Sequence, residues 1–165
     1  MGTRDKIKGF EELHREVTRL KKEGKVIVLA NGCFDLIHVG HIRYLKGAKE
    51  LGDILIVGVN SDRSVKQIKG KKRPLMSQDE RAQIVSAFEL VDYVVVFDKP
   101  TVEELILTLK PHYHAKGTDY TEESVPEKGV AASCGTLTRV VGGDPKGHST
   151  SLLIRKIIEK YGASH

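Results

Sequence analysis

The sequence is poor in aromatic residues and in cysteine, and these shortages exclude several classes of protein. It has 165 residues, with no Trp, four Phe, five Tyr and two Cys. The two cysteines have no Cys-x-x-Cys spacing and no disulfide framework, which favours a reducing compartment. No apolar run reaches the length of a membrane span, and residues 1–6 lack the apolar core of a signal peptide. We therefore predict a cytoplasmic protein with no membrane partner.

The balance of charge is positive but carries little information about partners. The formal net charge is +5, which suits nucleic acid and a small polyanionic substrate equally well. The few aromatic residues do not alternate with basic ones in the manner of an RNA-binding motif. We therefore expect no nucleic-acid partner.

Apolar strands alternate with amphipathic helices along the chain. We predict strands at 26–30, 54–59, 93–97, 113–116 and 138–141. This alternation predicts an α/β fold, a doubly wound, Rossmann-like parallel sheet of about five strands with helices on both faces. An amphipathic helix at 10–23 precedes it, so we divide the chain into a helical extension, 1–24, and a main domain, 25–162. We interpret 66–73 as a flexible basic loop and 122–135 as a long loop or a broken helix.

The segment 31–41 follows the first predicted strand and opens a helix. His38 and His41 are three residues apart, on the first helical turn, with Gly40 between them. Imidazoles at a helix N-terminus can donate hydrogen bonds to phosphoryl oxygens. Two other interpretations exist. One histidine caps the helix while the other packs, or both join Cys33 in a zinc site, although a fourth ligand is missing.

The wider pattern around the two histidines resembles a known family. The stretch 32–41 resembles the His-x-Gly-His signature of the cytidylyltransferase-like nucleotidyltransferases. Further matching segments occur in order from 26 to 161, namely 58–62, 73–74, 79–81, 91–95, 116–120 and 147–151. Within that family the set looks most like the adenylyltransferases that make ADP-heptose. Cytidylyltransferases acting on glycerol 3-phosphate usually have Thr in place of Cys33 and Lys in place of Leu152.

The resemblance implies a nucleotidyltransferase that transfers AMP from ATP to a heptose 1-phosphate, releasing ADP-heptose and pyrophosphate. This product is a precursor of bacterial lipopolysaccharide. The implied partners are the two small substrates and a second copy of the chain in a homodimer, with Mg²⁺ accompanying ATP. One alternative is a cytidylyltransferase that uses CTP and glycerol 3-phosphate. Another, from a different class, is a nucleotide-binding sensor without catalytic activity.

The resemblance and the positions at strand ends imply three sets of site residues. The catalytic set is His38, His41, Lys69 and Arg81. The set that binds nucleotide and phosphate is Gly32, Cys33, Phe34, Gly40, Lys72, Gly117, Ser149, Thr150 and Ser151. The set that binds the sugar phosphate is Asp35, Asn60, Asp62, Arg73 and Asp119. We predict no protein ligand set for a resident metal.

Several of these residues also have plain structural interpretations. Ser149 and its neighbours fit ordinary N-capping of the last helix, and that role is compatible with holding phosphates. Asp35 either orients a backbone loop or binds sugar hydroxyls. The basic run 66–73 is a solvated surface in most proteins, and 116–119 has the composition of a turn.

Overall fold

Five parallel strands form one sheet in the computed structural model, which describes residues 1–143 and 147–162. The strand order is β3-β2-β1-β4-β5, and all four pairings are parallel. The strands are β1 Ile27–Gly32, β2 Ile54–Asn60, β3 Tyr93–Phe97, β4 Tyr113–Gly117 and β5 Leu137–Val141. The predicted parallel sheet is confirmed, and each predicted strand lies within two residues of its observed bounds.

Within the described residues, seven α-helices connect and flank these strands. They are α1 Phe10–Lys22, α2 Val39–Lys49, α3 Asp62–Lys69, α4 Gln78–Ser86, α5 Glu103–Leu109, α6 Lys128–Ser133 and α7 Thr150–Tyr161. Of the helices that lie in the described residues, none is long and apolar enough to cross a membrane.

The sheet is covered on both faces, and the side chains of β1 show how. Ile27 and Leu29 belong to one apolar cluster, whereas Val28 and Ala30 belong to the other. Since successive strand residues point to opposite faces, both faces of β1 are buried. Helices α1, α5 and α6 contribute to the first cluster, and α2 and α4 contribute to the second. The Rossmann-like arrangement is therefore present.

Helix α1 is part of the first layer. Its residues Leu13, Val17 and Leu20 are buried in the cluster with Ile27 and Leu29. Three apolar side chains at helical spacing make this packing the main reason for the helix to form. The division into an extension, 1–24, and a main domain, 25–162, stays a prediction about domain organisation.

The basic segment 66–73 is a loop only in part, and here the prediction was wrong. Its first residues form the end of α3, which begins after Ser61. The Ser61 hydroxyl accepts a hydrogen bond of 3.1 Å from the backbone N–H of Ser64, an N-cap that the expectation of a loop overlooked. Val65, on the inner face of the helix, is buried. Packing therefore stabilises this helix in addition to the cap.

Segment 122–135 also contains helical structure. It includes α6, which buries Ala131 against the first apolar cluster. The alternative of a broken helix is therefore correct for its second half. Only one residue of this helix is buried. The helix therefore needs no row of apolar residues at helical spacing, and the sequence shows none.

Candidate functional site

A cavity of about 410 Å³ opens where the parallel strands end. Its wall is built by the segments that follow all five strands, together with the first turns of α2 and α7. The volume lies in the range of small-molecule sites, and ligands of open α/β sheets bind at this edge. The cavity therefore lies at the edge of the sheet where the site was expected.

Most of the predicted site residues line this cavity. Those that do are Gly32, Cys33, Phe34, Asp35, His38, Gly40, His41, Asn60, Lys69, Arg73, Gly117, Asp119, Ser149, Thr150 and Ser151. The three that do not are Asp62, Lys72 and Arg81. The sequence motifs are therefore brought together although they lie more than one hundred residues apart.

The loop between β1 and α2 holds a constrained backbone. Phe34 and Leu36 both have a φ of 52°, a left-handed conformation that costs non-glycine residues on the order of 1 kcal/mol or more. The Phe34 ring is buried, and its centroid lies 5.4 Å from that of His41. A strained loop that persists is held by its surroundings, and such loops cluster at functional sites.

The Asp35 carboxylate holds the next part of the wall. It accepts hydrogen bonds from Arg73 Nε at 2.8 Å, from the Leu75 N–H at 2.8 Å and from the Met76 N–H at 3.1 Å. Burial alone would raise the pKa of Asp35, but these donors outweigh it and hold the pKa below its usual value. Of the two roles considered for Asp35, the structure therefore displays the orientation of a backbone loop.

His38 and His41 are held by their Nδ1 atoms. Nδ1 of His38 accepts a hydrogen bond of 3.0 Å from the Gly40 N–H, and Nδ1 of His41 accepts one of 3.2 Å from the His38 N–H. A neutral imidazole that accepts at Nδ1 carries its proton on Nε2. The two rings are tilted, with centroids 4.0 Å apart. Both are therefore oriented as donors at the N-terminus of α2.

Both imidazoles are held in the neutral form. Burial lowers the pKa of His41 to about 4, and the neighbouring His38 adds to the shift. Burial also lowers the pKa of His38, and His148 contributes a smaller part. Neutral rings that donate through Nε2 can bind phosphate oxygens and tighten as negative charge develops. The capping interpretation is also correct for His38, which is the N-cap of α2.

Gly40 leaves the space that the His38 ring occupies. A Cβ atom on Gly40 would lie 2.8 Å from Cε1 of His38 and 3.3 Å from Cβ of His148. The separation of 2.8 Å is shorter than carbon atoms allow, so a larger residue would displace the His38 ring. The glycine of the His-x-Gly-His pattern therefore leaves room for the ring of His38.

Arg81 differs from the prediction, because it does not reach the cavity. Its side chain is 0% exposed, and its donors bond to the carbonyl oxygens of Cys33, Asn60 and Met76 and to Asp62 Oδ1, all within 3.0 Å. Since Nε, Nη1 and Nη2 of the guanidinium already donate to these acceptors, the structure does not place Arg81 in contact with a phosphate. Arg81 instead joins the ends of β1 and β2 to the start of α4.

The other two residues outside the cavity, Asp62 and Lys72, lie in α3 and in the turn after it. Asp62 is the first residue of α3 and is committed to the ion pair with Arg81 at 2.9 Å. Lys72 is exposed in the turn that follows α3. Lys69, the last residue of α3, does line the cavity. Of the two lysines predicted to reach phosphate, the structure brings only Lys69 to the site.

The N-terminus of α7 forms the opposite wall. Ser149 is its N-cap, and its hydroxyl accepts a hydrogen bond of 3.1 Å from the Leu152 N–H. The Thr150 hydroxyl donates to the carbonyl oxygen of Asp35 at 2.7 Å. Two helix N-termini, those of α2 and α7, therefore face the same cavity and favour an anion there.

Several cavity residues were missed as individual site residues. They include Asn31, Tyr44, Lys116, Tyr120, Glu127 and His148. His148 and Lys116 stand inside segments that carried the family pattern, so position in the pattern would have identified them. Tyr44 and Glu127 stand alone among unremarkable neighbours. No local signal in the sequence separates them from ordinary surface residues.

Cys33 lines the cavity but has no metal-site surroundings. Burial raises the pKa of its thiol, while the charges of Lys69 and Arg81 act in the opposite direction. Within the described ranges 1–143 and 147–162, no group of three His, Cys, Asp or Glu side chains is placed to hold a metal ion. The zinc interpretation of Cys33, His38 and His41 gains no support from this geometry.

The parallel sheet, the paired imidazoles and the two helix N-termini define a nucleotidyltransferase-type α/β domain with a His-x-Gly-His site. The chain belongs to the cytidylyltransferase-like family, whose model matches residues 29–156.

The chain is also similar to individual proteins. It is 48% identical over 95% of its length to the bifunctional protein HldE of Geobacter metallireducens, and 48% identical over 94% to that of Campylobacter jejuni subsp. doylei. It spans 32% of each of these relatives, about a third of their length.

Solved structures show the same fold. A lipopolysaccharide core biosynthesis protein from Thermoplasma volcanium is 30% identical, with a TM-score of 0.59, over 71% of this chain and 94% of that one. A pantoate-β-alanine ligase from Francisella tularensis has a TM-score of 0.62 at 17% identity, over 88% of this chain and 68% of that one. The second likeness concerns the fold alone.

Proposed function

We propose that this chain transfers AMP from ATP to a heptose 1-phosphate, giving ADP-heptose and pyrophosphate. One observation carries the proposal: two neutral imidazoles, fixed as Nε2 donors, face a cavity that also receives the N-terminus of a second helix. This arrangement suits a reaction in which negative charge grows on phosphoryl oxygens. Phosphoryl transfer depends mainly on positioning and electrostatic stabilisation.

In the proposed reaction the sugar phosphate is already an anionic nucleophile, so no general base is required. Its oxygen forms a bond to the α-phosphorus of ATP. The bond from that phosphorus to the bridging oxygen breaks, and the electron pair leaves with pyrophosphate. His38 and His41 donate to the oxygens of the phosphoryl group in transfer. The first turn of α7 and Lys69 hold the departing pyrophosphate.

The choice of heptose 1-phosphate rests on similarity. The relatives named bifunctional protein HldE share 48% identity with nearly all of this chain, and the Thermoplasma volcanium relative is named for lipopolysaccharide core biosynthesis. Cys33, where glycerol-phosphate enzymes usually have Thr, lines the cavity. The sequence difference therefore lies where a substrate would contact it.

We propose that Mg²⁺ enters with ATP as part of the substrate. Mg²⁺ prefers oxygen ligands and often combines substrate phosphates with one carboxylate. Asp119 lines the cavity and is exposed to solvent, which gives it an accessible carboxylate. A homodimer in the cytosol completes the proposal, and a solution mass of twice the chain mass in light scattering tests the dimer.

Pyrophosphate release tests the proposed reaction. The purified chain is given ATP or CTP with Mg²⁺, each with heptose 1-phosphate or with glycerol 3-phosphate. We expect release only from ATP with heptose 1-phosphate. Release from CTP with glycerol 3-phosphate favours the cytidylyltransferase alternative. Tight binding of ATP without release from any pair favours a nucleotide sensor and contradicts the proposal.

A further inference from the structure

The carboxylate of Glu127 is buried beside the cavity, and one of its two oxygens lacks a partner. Glu127 is 2% exposed and is the N-cap residue of α6. Its Oε1 lies 3.6 Å from Nζ of Lys116. Its Oε2 has no hydrogen-bond partner among the residues that the structure describes. A buried charged oxygen without a donor is costly in free energy, so such groups call for an explanation.

Glu127 lines the cavity on the side where β4 ends. Lys116 and Tyr120 line the same part, and Nζ of Lys116 lies 5.0 Å from the centre of the Tyr120 ring. We call Lys116, Tyr120 and Glu127 the β4 subsite. The two helix N-termini that suit phosphate belong to other segments of the wall, after β1 and after β5. The β4 subsite therefore offers a different chemistry within the same cavity.

The interior behind this part of the cavity is also polar. His114 and Thr138 are register partners on β4 and β5, and both are buried. Nδ1 of His114 and Oγ1 of Thr138 also have no hydrogen-bond partner among the described residues. Nε2 of His114 lies 2.9 Å from Oδ1 of Asn31, which lines the cavity. The polar interior is therefore continuous with the cavity lining through Asn31.

The chemistry of a carboxylate limits what the unpartnered oxygen can bind. An ionised carboxylate only accepts hydrogen bonds, and it repels phosphate. Hydroxyl groups are suitable donors, and two neighbouring hydroxyls of a sugar ring can donate to one carboxylate together. The ammonium of Lys116, 3.6 Å away, balances the charge of the carboxylate and favours its present position. Both proposed substrates carry such a diol, one in the ribose of the nucleotide and one in the ring of the sugar phosphate.

We propose that Glu127 binds a vicinal diol of a substrate, with Lys116 as the positioning residue of the carboxylate. The proposal rests on the proposed function only for the identity of the two substrates. It is tested by binding rather than turnover, so an inactive protein still gives an answer.

The nucleotide arm compares ATP, 2′-deoxy-ATP and 3′-deoxy-ATP in titration calorimetry with Mg²⁺. If the ribose supplies the diol, the wild-type chain binds at least one deoxy analogue about tenfold or more weakly than ATP, since a hydrogen bond to a charged group is lost. The Glu127→Gln variant binds ATP more weakly and no longer distinguishes the three nucleotides. The Glu123→Gln variant changes an exposed residue of the same segment and should behave as wild type.

The sugar arm measures the Kd of heptose 1-phosphate in the same variants. If the sugar supplies the diol, Glu127→Gln weakens this binding by about tenfold or more and leaves the nucleotide affinities unchanged. Thermal unfolding confirms that each variant folds. Glu127→Asp replaces the Gln variant if that one does not fold, because it keeps the charge and withdraws the carboxylate. Wild-type affinity of a folded Glu127 variant for both substrates would overturn the proposal.

Discussion

The orientation of each imidazole depends on one nitrogen atom. His41 accepts from the His38 backbone through Nδ1, which fixes Nε2 as its donor. His41→Ala removes that donor, and we expect kcat to fall by on the order of 100-fold or more. Pyrophosphate release at saturating substrate measures the loss. His14→Ala, an exposed position on α1, serves as the control, and near-normal turnover of a folded His41→Ala protein would refute the assigned role.

Arg81 illustrates a buried charge whose work is structural. Arg81→Met leaves the carbonyl oxygens of Cys33, Asn60 and Met76 without their buried donor. Breaking a buried ionic network of this kind costs about 3–5 kcal/mol, so we expect a corresponding loss in the free energy of unfolding by urea. A phosphate-binding role predicts another result, a raised KM for a substrate with stability unchanged.

The surroundings of Arg81 also mark a limit of sequence analysis at this scale. Arg81 stands in the first turn of α4, which begins at Gln78. Its partners lie 48 and 21 residues earlier, at Cys33 and Asn60. A cation at a helix start looks the same in the sequence whether its partner is a phosphate or a distant carbonyl. Only the three-dimensional structure distinguishes these two cases.

At the scale of elements, α2 and α6 provide a matched pair of glycines. Gly40 and Gly129 are each the second residue of their helix. A Cβ atom on Gly40 would meet the His38 ring, whereas one on Gly129 would meet nothing within 4 Å. We expect Gly40→Ala to lower kcat by on the order of 10-fold or more, because it moves a transition-state donor.

Gly129→Ala supplies the control for that change. Alanine is the better helix former by about 0.5–1 kcal/mol, so this variant should unfold at a slightly higher urea concentration and keep wild-type kcat. Equal kcat values for the two variants would show that the space at Gly40 has no role in placing His38.

Strands were easier to predict than short helices. Both faces of β1 and β2 are buried, and this leaves uninterrupted apolar runs in the sequence. Helix α6 buries Ala131 alone, and α3 buries only Ser64 and Val65. A helix with so little buried surface has no apolar period of its own to detect. Tertiary contacts and caps decide its existence.

At the scale of the whole molecule, the cavity gathers residues from the ends of all five strands. The rule for parallel sheets predicted this edge, and the motifs predicted the histidines and the start of α7. Glu127 and the interior pair His114 and Thr138 were not predicted. A single polar residue between unremarkable neighbours gains meaning only from what surrounds it after folding.

Buried neutral histidines make the whole molecule sensitive to acid. Burial lowers the pKa of His114 to about 3 and that of His41 to about 4, both below the ordinary value of 6.5. The unfolded chain therefore binds more protons than the folded one below pH 6.5, and stability falls as the pH decreases from 6.5 towards 4. Each histidine contributes up to about 1.4 kcal/mol per pH unit.

Urea unfolding between pH 8 and pH 4.5 measures this loss. We expect a constant free energy of unfolding above pH 7 and a decline below pH 6.5. The carboxylates Glu16 and Asp35 have pKa values below their ordinary values of 4.5 and 3.8, so they add to the slope only near the acid end of this range. A free energy that stays level down to pH 5 would contradict neutral burial of these rings.

The wall of the cavity divides into parts with different freedom to change during evolution. In the loop after β1, the Asp35 carboxylate pairs with Arg73, and the Asp35 carbonyl oxygen accepts a hydrogen bond from the Thr150 hydroxyl. A mutation in this loop therefore disturbs several segments at once. The segment after β4, residues 118–127, lies between β4 and α6 and belongs to no strand. Descendants of this chain can therefore keep the groups that carry out the transfer while mutations in residues 118–127 change which substrate is bound.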